Sequence, residues 1–184
     1  MTDSPREEWT VEIPARAWWR LDYRKVPTGV VDPAEKIFPG GKGALKDYNL
    51  DDVFADLVRD GQGRATAVLK GRKQQLEISQ GPNYKSLVIY SPNPLNTGLG
   101  SQIAPPNPNA PPAPAAGAAR GGGGGGGRGR GTGPANSPNF ICFEPMAGIT
   151  NALNLAHKGT YKELQYIKPG GTWQESFWIK PSGF

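Results

Sequence analysis

RATAVLKGRKQQLEISQG, residues 64–81, decides the fold class. Ala65, Ala67 and Leu69 alternate with Thr66 and Val68, the two-residue period of a strand with one buried face. Gly71, Arg72 and Lys73 separate this run from QQLEISQG, so the pair reads as a hairpin. Downstream, KSLVIYSP (85–92) reads as a buried strand. Upstream, DVFADLVRD (52–60) places Val53, Ala55 and Leu57 on one side and Phe54, Asp56 and Val58 on the other, before a DGQG turn. WTVEIPARAWWRLDYR (9–24) gives two short strands broken near Pro14. VPTGVVDP (26–33) reads as a turn-rich connection and FPGGKGALKDYN (38–49) as a loop. Near the C-terminus, ITNALNLAHKGTYKEL allows a short helix limited by Gly148 and Gly159, and GTWQESFWI (171–179) reads as a terminal strand. Many short strands with turns between them predict an all-β sandwich or barrel.

The chain has 184 residues, a length expected of one domain spanning 1–184. One tract interrupts it: residues 101–139 hold eleven glycines and eight prolines, seven of the glycines consecutive. Such a sequence has no side chains to bury and a high entropic cost of ordering, so 101–138 is expected to be a long disordered loop. Arg120, Arg128 and Arg130 fall in this tract with no acidic residue, and supply most of the net charge of +5. The remainder is near neutral, which gives no footprint for nucleic acid or a membrane surface. Three arginines without interleaved aromatics also make a poor RNA-binding segment. Cys142 is the only cysteine and His157 the only histidine, which excludes an intrachain disulfide and a cysteine-cluster metal site. No cofactor is expected. No apolar run reaches the roughly 18 residues of a membrane span, and MTDSPREEWT lacks a signal peptide's apolar core. The cytoplasm is the default expectation.

FICFEPMAGITNALNL (140–155) carries Glu144 inside an apolar run. A carboxylate in apolar surroundings gains proton affinity, which suits a general base near neutral pH. The structural reading is a strand-end carboxylate paired to backbone or solvent. His157 reads as a solvated turn residue before Gly159, Cys142 as a small apolar residue, and Trp18, Trp19, Trp173 and Trp178 mostly as packing.

Three of these stretches, in order, resemble the C-terminal half of the aldose 1-epimerases (galactose mutarotases). VPTGVVDPAEKIF resembles the family's "PTG" segment, and YNLDDVFADL its "LD-x-x-F" segment. FICFEPMAGITNALNL, followed by LQYIKPGGTW, is similar to the "EP…N…L…PGE" ending. The resemblance implies a β-sandwich of the galactose mutarotase type, here partial. It implies a free sugar (galactose or glucose) as ligand and interconversion of its α and β anomers. It places Glu144 as the general base and Asp51, rather than the adjacent Asp52, as the ligand of sugar hydroxyls. The sequence departs from the family at Gly171, where a glutamate is usual. It also lacks an "H-x-Y-x-N-L" segment, which carries the family's ring-oxygen acid. A fragment, split gene product or truncated gene is therefore expected, with self-association or pairing with an N-terminal half. Two alternatives stay open: a non-catalytic carbohydrate-binding remnant, and a hexose 6-phosphate epimerase, for which basic phosphate ligands are not evident.

Overall fold

The computed structural model describes residues 1, 3–93 and 140–184; the 101–138 tract lies outside the described residues. The chain begins with a short 3-10 turn and then β1 (Thr10–Glu12). Pro14 ends β1's run, and β2 (Ala15–Leu21) starts in the other sheet. Then come β3 (Pro27–Pro33), β4 (Lys42–Ala44), β5 (Leu50–Leu57), β6 (Ala65–Lys70), β7 (Gln75–Gln80) and β8 (Ser86–Ser91). β9 (Cys142–Met146), one helix α1 (Ala152–His157) and β10 (Phe177–Ser182) complete the set. Two five-stranded sheets result: sheet I in the order β4-β1-β6-β7-β10, and sheet II in the order β3-β2-β5-β8-β9. Every pairing is antiparallel. The two packed sheets are the sandwich expected from the alternating runs.

The hairpin of residues 64–81 forms as its alternation requires. Ala67 stands opposite Ile78 and Leu69 opposite Leu76. Their inward faces join Val11, Trp18, Phe54, Leu87 and Ile89 in the layer between the sheets. Burying each of the larger side chains contributes roughly 1.5–3 kcal/mol.

Three expectations need correction. VPTGVVDP is not a connection but β3, an edge strand where the prolines need give no ladder hydrogen bond. The 38–49 loop contains β4, whose Gly43 lets Tyr48 pack close: a Cβ there would lie 2.4 Å from the Tyr48 ring. The terminal strand begins later, at Phe177 rather than residue 171. In β5 the simple alternation also fails. Val53 and Ala55 face outward from sheet II, but Leu57 joins Phe54 in the inter-sheet core. Asp56 has φ 49°, and this left-handed residue switches the face that follows it.

The β8–β9 pair is a hairpin with a very long connection. Tyr90 stands opposite Cys142, and Ser91 Oγ donates to the Phe140 carbonyl at 2.8 Å, so the ends of the connection lie side by side. Closing a loop costs only about 0.6 kcal/mol more per doubling of length, so the sandwich accommodates the insertion.

Arg6 is fully buried where the N-terminal turn meets sheet II. Its guanidinium donates to the carbonyls of Leu45 (3.0 Å), Tyr48 (3.3 Å) and Ser91 (3.2 Å) and to Ser91 Oγ (3.0 Å). Burial lowers its pKa below the usual arginine value. Asp3 accepts from the Lys73 and Gln74 amides, which holds its carboxyl down at about 2 from 3.8. The Gln74 bond is the largest cause. A depressed carboxyl pins its partners above the unfolded pKa and releases them as pH falls through the folded one. The amide signals of Lys73 and Gln74 are therefore expected to hold their positions at neutral pH and to move in NMR titrations only as pH approaches about 2. Movement centred near 3.8 would show the pinning absent.

Candidate functional site

Register places the two proposed site carboxylates. β8 lies between β5 and β9, with Asp51 opposite Tyr90 and Tyr90 opposite Cys142. Glu144 lies opposite Val88, which lies opposite Val53. Since side chains alternate, Asp51, Val53, Val88, Tyr90, Cys142 and Glu144 share one face of sheet II, the face turned away from sheet I. Strand spacings put the Asp51 and Glu144 Cα atoms about 12 Å apart across this face.

The same alternation separates the neighbouring aspartates. Asp52 is 1% exposed and turned inward, accepting from Trp18 Nε1 at 2.9 Å and from the Asp51 amide at 3.0 Å. Asp51 is turned outward, and its carboxylate pairs with Lys25 at 3.8 Å. Lys25 sits in the β2–β3 turn with φ 64°, a turn closed by Asp22, whose Oδ1 accepts from the amides of Arg24 and Val26.

Part of this outer face is covered. Trp19, Leu21, Val53 and Ala55 are buried beneath Ile149, Leu155 and Tyr161, with Val88 packed at the margin. The remainder is open: Tyr90 is 39% exposed, and its ring lies 5.7 Å from that of Phe140. Glu144 is exposed on β9, the edge strand, and accepts a hydrogen bond from Cys142 Sγ at 3.5 Å. The carboxylate is thus not enclosed by Phe143 and Met146. Phe143 points into the inter-sheet core instead.

Burial first, and then the Glu144 carboxylate, pushes the Cys142 thiol pKa up. The thiolate is the reactive form, so Cys142 is expected to react with maleimide more slowly than a free cysteine at mildly alkaline pH. Glu144→Gln removes the charge and is expected to speed the reaction. An unchanged rate would mean that the carboxylate does not sit beside the sulfur.

His157 ends α1 and is exposed. Trp9, Trp18 and Trp19 are core residues, whereas Trp178 is 40% exposed on β10. Among the described residues, no group of three or more His, Cys, Asp or Glu could hold a metal ion. No helix among them is long and apolar enough to cross a membrane. Tyr90 and Lys25 were missed in the sequence. The alternation of KSLVIYS put Tyr90 on the same side as Val88, and its hydroxyl was the available signal. The pairing of Lys25 with Asp51 spans two strands and left none.

No family model and no curated protein matches this sequence. Among solved structures, a galactose mutarotase-like protein from Clostridium acetobutylicum superposes on the whole chain with a TM-score of 0.60 and 16% identity. The chain has a mutarotase-like fold. It spans 44% of the length of that structure. The likeness extends the agreement between sequence and structure to the sandwich type. Gly171 sits in a tight turn, where a Cβ would meet the Lys168 carbonyl at 2.9 Å.

Proposed function

We propose that the open face of sheet II binds a free hexose and that Glu144 acts as the general base of an aldose 1-epimerase reaction. The observation that carries this reading is the placement of Asp51 and Glu144 on one exposed face, on either side of β8, with the Tyr90 ring between Asp51 and the β9 edge. A hexose ring fits between carboxylates at that spacing. Asp51 accepts hydrogen bonds from ring hydroxyls and fixes orientation, and Lys25 keeps that carboxylate turned to the open side. Tyr90 offers an apolar ring for a sugar face.

In the reaction, Glu144 takes the proton of the anomeric hydroxyl as the C1–O5 bond breaks. The ring oxygen receives a proton, C1 turns about its bond to C2, and the reverse steps close the ring on the other face. Water supplies the ring-oxygen proton in this reading, since no side chain of the face is assigned as the acid; the one histidine, His157, is exposed at the end of α1. This favours a second reading, in which the chain binds sugar without accelerating mutarotation. Polarimetry on freshly dissolved α-galactose and α-glucose separates the two. Acceleration that Glu144→Gln removes supports the base. Calorimetric binding without acceleration supports the binding reading, and neither binding nor acceleration discards both.

A further inference from the structure

Both sheets end on the same flank. β9 closes sheet II and β10 closes sheet I, and neither has a second strand partner among the described residues. A cavity of about 230 Å³ opens there, lined by Leu69 and Leu76 of sheet I, Ile141 and Phe143 beside or on β9, and Phe140 and Phe184. The sheets do not end level. Phe177 pairs in register with Gln80 and Ile179 with Ile78, residues whose side chains are buried between the sheets. Phe177 and Ile179 therefore point toward the same layer, yet they are 51% and 58% exposed. On this flank the core-facing side of β10 therefore has no cover from sheet II or from any other described residue.

We propose that a second copy of this chain covers it, related by a two-fold axis parallel to the strands. That rotation exchanges the upper and lower sheets. The projecting β10 of each copy then fills the step beside the other's β9, and the two Phe177–Ile179 faces stack on each other. Sheet II of one subunit continues into sheet I of its partner. The alternative of pairing β9 with β9 sets both projecting β10 strands in the same space. The two-fold contact satisfies both exposed edges and closes at two subunits.

The arrangement also matches charge. The outward face of β10 carries Trp178 opposite Ser79 and Lys180 opposite Glu77. In the dimer this face runs on from the outer face of sheet II, so Lys180 of the partner subunit comes to the side of β9 that bears Glu144. Lys180 already bridges Glu77 of its own chain at 3.4 Å, and Glu144 across the seam adds a second carboxylate beside that exposed ammonium. The flank is about 20 Å long and about 20 Å across both layers, or about 400 Å² from each copy and about 800 Å² in all, below the roughly 1,000 Å² of a stable interface and in the range of weak, transient contacts. The dimer is accordingly expected to dissociate on dilution.

Sedimentation velocity of the full chain over about a hundredfold range of concentration is expected to show a reversible monomer–dimer equilibrium. Ile179→Glu, at an exposed position, is expected to keep the circular dichroism of the parent and remain monomeric throughout. Ile179→Cys in a Cys142→Ser background is expected to be cross-linked as a dimer by a short bis-maleimide, since the two stacked faces set the positions about 10 Å apart, beyond the reach of a direct disulfide. A parent that stays monomeric at every concentration, assemblies that grow beyond two, or a dimer that does not cross-link at position 179 would each overturn the proposal. So would dimerisation that appears only after residues 94–139 are deleted, because that segment would then be the occupant of the flank. None of these readouts depends on sugar turnover, so this proposal and the epimerase reading fail separately.

Discussion

Replacing Glu144 with Gln is expected to lower any mutarotase activity of this chain by roughly a hundred- to ten-thousandfold, the usual contribution of a positioned general base. The substitution keeps the shape of the side chain and removes its capacity to take the anomeric proton. It leaves the fold intact because Glu144 is exposed on an edge strand and its bond from Cys142 is long, at 3.5 Å. Melting midpoint and circular dichroism are thus expected to match the parent while the polarimetric rate falls to the uncatalysed one. A variant that retains the parent's acceleration would remove Glu144 from the reaction. A variant that loses activity together with its fold would show that the carboxylate carries structure, which its exposure argues against.

Arg6→Met is expected to destabilise the protein by about 3 kcal/mol. The guanidinium is buried and donates to three backbone carbonyls and to Ser91 Oγ, tying the N-terminal turn to the segment before β5 and to the end of β8. Methionine fills much of the volume but strands those acceptors, and a buried group left without its hydrogen bond costs about 1–3 kcal/mol. Release of the desolvated cation offsets part of this total, which keeps the net below the sum. Urea unfolding measures the change directly, and the thermal midpoint is expected to fall by about 10 °C for a domain of this size. A loss under about 0.5 kcal/mol, the range of ordinary surface substitutions, would mean that water reaches these carbonyls in the folded state.

The strands legible in the sequence were those with one buried face. Residues 65–70 alternate cleanly, and 86–91 are compact and apolar, so their neighbours in the chain were enough to read them. β3 was illegible because an edge strand needs hydrogen bonds from one side alone. Prolines at Pro27 and Pro33 are tolerated there, although in a central strand they would not be. β5 was legible as a strand but not in its facing beyond Ala55, because aspartate tolerates left-handed backbone more than most residues yet adopts it only occasionally. In the site, the sequence offered Glu144 and two adjacent aspartates.

Taken alone, the order of residues determined the class of fold, the positions of most strands, the place of the long insertion and the two carboxylates worth testing. The first three depend on period and composition, which are local; the two carboxylates rest on the resemblance to the aldose 1-epimerases. Tertiary structure decided which aspartate is reachable, since the pleat of β5 turns Asp52 onto Trp18 and Asp51 toward Lys25. It also decided that Asp51, Tyr90 and Glu144 share a face and that the core-facing Phe177 and Ile179 of β10 stand exposed. Those facts depend on register between strands far apart in the chain, and register is fixed only when both sheets close over one core.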